Sequence, residues 1–556
     1  LVRKFGHIAA QEYRALGITT ALSPQIDLGT EPRWNRINGT FGEDPQLSAA
    51  MARAYIDGFQ TSTGKDEIAN GWGYGSVNTM AKHWPSGGPE EGGRDGHFAY
   101  GKFAVYPGNG FQTQLTPFIK GALQLDGKTK TTAALMPYYT ISYEQDQTYH
   151  ENVGNSYSKY IITDLLRNQY GYDGVVCTDW MITADEGKTP DIFLGKSWGV
   201  EKLTVAERHY KVLKAGVDQF GGNNDARPVL DAYQMGVKEF GAAAFRKRFE
   251  QSAVRLLRNI FRAGLFENPY LDPVQTNSIV GNPTFMNEGY EAQLKSVVLL
   301  KNKKAVLPLS QKITVYVPQR LVPAARDWWG NLTPERMEDP VNPELLKKYF
   351  TVTDDPAKAD AAIVFVKGPN SGTGYSRDDR EKGGNGYVPI SLQYGPYTAT
   401  LAREQSMASG DPMIDPTVTN RSYKGKTVTA ANYADLTSIL NTRKAMEAKP
   451  VIVAMALSNP AVVNEFEFAV DGLLVSFGVQ DQAILEILAG LTEPSGLLPV
   501  QLPADMATVE TQKEDLPHDM KCHKDNEGHV YDFGYGLNWK GVIKDNRTKQ
   551  FIPKHK

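Results

Sequence analysis

Cysteine is nearly absent: Cys177 and Cys522 are the two in 556 residues. Two thiols build neither a disulfide framework nor a zinc-ligand spacing. Cys177 lies in an apolar run and reads as an inert core thiol. Long apolar runs are missing as well, since no stretch reaches the roughly 18 residues of a membrane span. Nor does one sign of charge dominate. The 60 Lys and Arg face 63 Asp and Glu, a net charge of -3, so there is no electrostatic case for nucleic acid or an anionic membrane as partner. Internal repeats and low-complexity tracts are absent. The opening LVRKFGHIAAQEYRALG has no apolar segment after its basic residues and is not a signal peptide. It reads as an amphipathic helix without a visible start.

What is present fits two large domains, at roughly 100–200 residues each and more for a barrel. Up to about Pro269, helical patterns such as Tyr157–Tyr170 and Val205–Leu213 alternate with short apolar strands. The strand candidates are Ile18–Ser23, Val77–Trp84, Thr132–Tyr139, Gly174–Trp180 and Ala215–Phe220. Near-continuous apolar strands alternating with helices predict a parallel sheet, open or closed. A long amphipathic helix, Ala243–Phe266, closes this half, and the Pro-, Asn- and Asp-rich Asn268–Pro283 reads as a linker. A second α/β pattern follows, with strands near Val297–Lys301, Ile313–Val317, Ala361–Val366, Val451–Leu457 and Gly472–Phe477. Two long polar insertions, Lys367–Tyr397 and Ser406–Tyr433, interrupt it, and loops of that length are functional or disordered.

Polar residues gather at strand ends. In YDGVVCTDW the buried strand runs into Asp179 and then Trp180. A carboxylate there can serve catalysis or cap a helix. Lys82 and His83, ahead of WPSGG, cannot both face a core without partners. Facing a pocket, they can donate to sugar hydroxyls. Arg36, in EPRWNR, can fork onto two hydroxyls, or pair with Glu43 or Asp44.

Taken in order, PQIDLGTEPRWNRINGTFGEDPQL, KHWPSGG, YDGVVCTDW, SVVLLKNKKAVLPL, PSGLLPVQLP and YDFGYGL resemble glycoside hydrolase family 3 over nearly the whole chain. The resemblance implies a (β/α)₈-type, TIM-like barrel lacking its N-terminal strands here, followed by an α/β sandwich domain. The boundaries expected are a barrel over 1–268, a linker over 269–288 and a sandwich domain with a C-terminal extension over 289–556. An exo-acting retaining β-glycosidase of β-glucosidase type is implied, with no cofactor and no metal. By position, Asp179 matches the nucleophile, Lys82, His83 and Arg36 the grip on the −1 sugar, and Tyr139 the tyrosine beside the nucleophile. Trp180 would wall the +1 side. A retaining enzyme needs two carboxyls about 5–5.5 Å apart, one ionised to attack and one held neutral to donate a proton, and the charges of Lys82 and Arg36 favour the ionised form of Asp179.

The acid/base departs from the pattern. On the second-domain loop GPNSGTGYSRDDREKGGNGY the family's glutamate position before Gly-Tyr is Thr373. Glu381 fits a later position, with Asp378 and Asp379 as rivals. PEEGGRDGH offers a further rival, His97 paired with Asp95, as in the family's N-acetylglucosaminidases. β-Xylosidase, N-acetylglucosaminidase or phosphorylase activity, and a carbohydrate-binding pseudo-enzyme, are the competing outcomes. The absent upstream strands lead to the expectation of a separate N-terminal fragment that completes the barrel. The family habit of export implies a secreted or periplasmic protein.

Overall fold

The computed structural model describes residues 1–326, 331–408, 410 and 413–551. Residues 409 and 411–412 of the second predicted insertion, and 327–330 and 552–556 of the predicted sandwich domain, lie outside the described residues.

In the first half, among the described residues, four strands form one parallel arc: β1 (Thr20–Ala21), β2 (Asn78–Trp84), β3 (Ala134–Pro137) and β4 (Val175–Val176). A parallel bridge from Cys177 to Gln219 extends it by one position. Both faces of the arc are covered, so β2 is buried along nearly all its length. The helix α1 (Val2–Ala15) packs on α2 (Pro45–Gln60), which starts where the Asp44 carboxylate accepts the Gln46 and Leu47 N–H groups at 3.0 and 2.7 Å.

The predicted strand Ala215–Phe220 is not one. The helix α3 (Val205–Ala215) takes its first residue, and Gly216 ends that helix at φ +107, a conformation costly to other residues. The predicted long helix is α5 (Ala242–Arg262), preceded by an unforeseen α4 (Arg227–Phe240). The predicted linker is also partly helical, with α6 (Pro273–Ile279) and α7 (Pro283–Ser296). Each has proline at its first position, and Asp272 or Asn282 caps it through a side-chain oxygen. Among the described residues the arc is not closed on itself between β1 and Gln219. Phe5, Leu16, Ile18 and Leu22 near β1, and Val254, Leu257 and Phe261 on α5, are exposed.

The second half is an eight-stranded mixed sheet. Its strands are β5 (Val298–Asn302), β6 (Thr314–Tyr316), β7 (Thr351–Thr353), β8 (Ala361–Lys367), β9 (Val451–Ala456), β10 (Gly472–Ser476), β11 (Leu537–Asn538) and β12 (Gly541–Val542), in the order β7-β6-β8-β9-β10-β5-β11-β12. β7 through β10 pair in parallel, while β5, β11 and β12 are antiparallel to their neighbours. The five strands expected in this half all form, within a residue or two of the predicted bounds. The buried apolar cluster of β5, β8, β9 and β10 is the core.

The two halves meet through buried polar contacts. Asn459 donates to the carbonyls of Pro32 and Trp34 at 2.8 Å each. Arg33 forks onto Glu31 and reaches Tyr423 at 2.8 Å and Glu510 at 3.1 Å. The insertion 367–397 comes down on the barrel loop: Tyr375 stacks on Tyr100 at 5.5 Å, and Arg94 lies over the Tyr387 ring at 5.1 Å.

Candidate active site

The ends of β1 to β4 deliver their polar residues to one place. Asp179, just past β4, is 8% exposed, with a side chain anchored at one oxygen. Its Oδ1 accepts the Tyr139 hydroxyl and the Trp180 N–H, each at 2.7 Å. Its Oδ2 accepts no hydrogen bond among the described residues and stands 3.7 Å from His83 Nε2. One carboxylate oxygen is therefore tied down and the other is left without a hydrogen bond among the described residues.

Lys82 and His83 adjoin at the end of β2, where the register on β3 shifts between Lys82 and Trp84. That irregularity relaxes the strict alternation of faces. His83 is buried and its Nδ1–H donates to Asp27 Oδ2 at 2.8 Å, which fixes the ring and leaves Nε2 toward the site. Burial lowers the His83 pKa to about 4, against the pull of Asp27. His83 is thus neutral, and Nε2 accepts, here from Arg36 Nη1 at 3.4 Å. Burial, then the charge of Arg36, lowers the Lys82 pKa, opposed by Asp179 and Asp27.

Arg36 does not pair with Glu43 or Asp44. Burial works against its charge, but Tyr138, Asp95 and Asp27 raise its pKa overall. Asp95 joins the same group. Its Oδ1 accepts His97 Nδ1–H at 2.8 Å and the Tyr138 hydroxyl at 3.2 Å, and its Oδ2 accepts Asn35 at 3.3 Å. Burial raises the Asp95 pKa, yet His97 and Arg36 outweigh it and keep the carboxyl well below the usual range. The His97 ring stands edge-on to Tyr139 at 4.8 Å, so it neighbours the hydrogen-bond partner of Asp179. Trp180 is 37% exposed, its indole against Gly221 and Gly222, where any Cβ would collide with it.

The second-domain candidates stand apart. Glu381 ends the short helix α8 (Arg377–Glu381) and is exposed, as is Asp378. No hydrogen bond or ion pair joins either to Asp179, Arg36 or Lys82 among the described residues. Asp379 is engaged locally, accepting the Gly386 N–H at 2.8 Å and the Lys426 ammonium at 2.5 Å. Arg377 of α8 is ion-paired with Asp191 on the loop after Asp179.

Sequence reasoning gave no role to Tyr138 or Lys196, and placed Asp27 at a strand's C-terminal end without assigning it a partner. Asp27 ends the apolar run of PQIDLG and Tyr138 adjoins Tyr139, so both carried a signal. Lys196 carried none. It is buried under Tyr139 and Phe193, with its ammonium 5.4 and 3.5 Å from their ring centres. Burial lowers its pKa to about 8, opposed by Asp179 and Asp95.

Comparison with known proteins gives concordant matches. Residues 1–258 match the model of the glycosyl hydrolase family 3 N terminal domain, and residues 297–539 that of its C-terminal domain. The chain is 34% identical to beta-glucosidase C of Emericella nidulans, over 97% of this chain and 73% of that protein. It is 33% identical to the periplasmic beta-glucosidase/beta-xylosidase of Dickeya chrysanthemi, over 97% of this chain and 70% of that protein. In fold it is similar to a beta-glucosidase from Listeria innocua solved with isofagomine, with TM-score 0.65 and 18% identity, covering 97% of this chain and 68% of that one. Among the described residues no helix is long and apolar enough to cross a membrane.

Proposed function

The chain belongs to glycosyl hydrolase family 3, and we propose that it is an exo-acting retaining β-glucosidase whose nucleophile is Asp179. One observation carries this reading: Asp179 keeps one oxygen free while the other is anchored by Tyr139 and Trp180, amid Lys82, His83 and Arg36. The free oxygen bonds to the anomeric carbon as the glycosidic C–O bond breaks, giving a glycosyl-enzyme that water then cleaves. Arg36 and Lys82 donate to hydroxyls of the −1 sugar and His83 accepts from one. Bonds that tighten as the ring flattens lower the barrier.

The proton donor in this reading is His97, backed by Asp95. Its Nδ1–H is held by the carboxylate, which orients Nε2. Nε2 protonates the departing oxygen, then recovers a proton from the attacking water. Among the described residues no hydrogen bond or ion pair joins Glu381, Asp378 or Asp379 to Asp179. β-Xylosidase activity is the second reading, since the Dickeya chrysanthemi relative carries both names.

Two finer elements complete the proposal. The protein acts in the periplasm or outside the cell, as the names of the periplasmic relatives suggest. A strand-bearing N-terminal segment of the same protein, separate or covalently joined, covers the open arc beside β1 and the apolar face of α5, since unpaired edges and exposed apolar surface both favour a partner. Denaturing mass spectrometry of the active species tests the segment. An active chain of 556 residues alone rules it out.

The test of function is a panel of aryl β-glycosides with inhibitor trapping. The glucoside is expected to be the best substrate, and a 2-deoxy-2-fluoro glucoside is expected to label Asp179. A label on any other residue overturns the assignment.

A further inference from the structure

Behind the Asp95–His97 pair lies a carboxyl that the reaction does not use. Glu90 is fully buried, two residues beyond the Gly88 that ends KHWPSGG. Its Oε1 accepts the Gly96 N–H at 3.2 Å, the peptide between the two members of the pair. Its Oε2 has no hydrogen-bond partner among the described residues. The Tyr138 hydroxyl faces this carboxyl and also donates to Asp95 Oδ1 at 3.2 Å. A buried carboxylate with a bare oxygen is costly, and a second negative charge beside Asp95 costs more. A neutral carboxyl removes both costs, because the bare oxygen then carries a proton that can turn to the Tyr138 oxygen.

We propose that Glu90 is a positioning residue for the acid/base pair and works uncharged, its Oε1 fixing the Asp95–Gly96–His97 turn and its O–H donating to Tyr138. The chain of polarity is directional. Glu90 donates to Tyr138, Tyr138 donates to Asp95, and His97 Nδ1–H donates to Asp95. An ionised Glu90 would compete with Asp95 for the Tyr138 proton and repel Asp95. The titratable groups facing Glu90 are Asp95, Tyr138 and Arg36, with Tyr106 on the remaining side. Burial and the charge of Asp95 together push its carboxyl well above the ordinary glutamate range, offset only in part by Tyr138, Gly96 and Arg36. This inference rests on His97 as proton donor.

Three variants test it on two substrates, an alkyl β-glucoside with a poor leaving group and a dinitrophenyl β-glucoside with a good one. Glu90→Gln keeps the shape and the neutral state, so kcat/KM should stay within about threefold of the parent on both. Glu90→Ala should lose about tenfold or more on the alkyl glucoside and little on the activated one, as loss of a general acid does. Tyr138→Phe, which breaks the same bridge with less change of volume, should show that split if Glu90→Ala does not fold. Glu90→Gln should also raise the melting temperature at pH 7 but not at pH 4, because the cost of a neutral buried carboxyl exists only above the unfolded pKa of about 4.3. A loss in Glu90→Gln matching that in Glu90→Ala, or an equal loss on both substrates, overturns the proposal. His97→Ala is measured alongside. If it shows no split, the reading of His97 fails and this inference with it; if it shows the split and Glu90→Ala and Tyr138→Phe do not, this inference alone fails.

Discussion

Asp27 accepts two hydrogen bonds from His83, one from the backbone N–H at 3.0 Å and one from ring Nδ1 at 2.8 Å. A third comes from the Gly87 N–H at 2.6 Å. The carboxylate thus fixes both the β2 end and the tautomer of the ring it carries. Asp27→Asn keeps the size but removes the charge that orients the imidazole. Its kcat/KM on an aryl β-glucoside should fall by about tenfold or more with little change in melting temperature. Equal activity would mean that the tautomer is set by something else.

His83 also links the site to stability at acid pH. Its pKa is about 4 in the fold against 6.5 in the open chain, so between those values the unfolded state binds the extra proton. Stability is therefore complete above about pH 6.5 and falls as the pH drops toward 4, by roughly 3 kcal/mol at most. Denaturant melts of the parent and His83→Gln at several pH values check this. The parent should lose stability over that window more steeply than the variant.

The parts of this site that sequence made legible are the ones set by strand chemistry. Asp179 and Tyr139 each follow an apolar strand and Lys82 and His83 lie at the end of one, and a polar residue there has a pocket or a cap as its destination. The core strands of the second half were legible for the same reason, since unbroken runs such as VIVAMA and AAIVFV allow few other fates. Glycine and proline misled in the connections. The tract 268–283 reads as loop, yet Pro273 and Pro283 begin helices whose caps precede them. Side-chain pairing was illegible wherever it spans the halves. The resemblance singles out Arg36 of EPRWNR for the site, but nothing in the sequence tells that Arg33 bridges to Glu510, 477 positions away.

That division of labour within EPRWNR is itself testable. Arg33 is buried with Glu31, Tyr423 and Glu510 as partners. Arg33→Met leaves two buried carboxylates without their cation, a loss of about 3–5 kcal/mol in unfolding free energy. Arg36→Met, at the mouth of the site, should change stability far less while abolishing most of the activity. Chemical denaturation and an aryl β-glucoside assay on both variants separate the two roles. The reverse pattern would reassign them.

Lys196 presents the opposite balance. Its ammonium is buried, with a single side-chain hydrogen bond, to the Leu194 carbonyl at 2.5 Å, and no carboxylate within ion-pair distance among the described residues. An ammonium so placed costs stability, and burial lowers its pKa from 10.5 to about 8. Below about pH 8 the unfolded chain is favoured by roughly 3 kcal/mol through this group, and the cost fades as the pH rises toward 10.5. Lys196→Met, similar in length and uncharged, should therefore melt at a higher temperature than the parent at pH 7, with the difference shrinking above pH 8. The same change removes a positive charge that acts on both Asp179 and Asp95. Activity on an aryl β-glucoside should fall even as stability rises, the exchange expected when a costly group is retained for chemistry. A Met variant that is less stable and fully active would make the lysine a structural group, held for its packing on Tyr139 and Phe193.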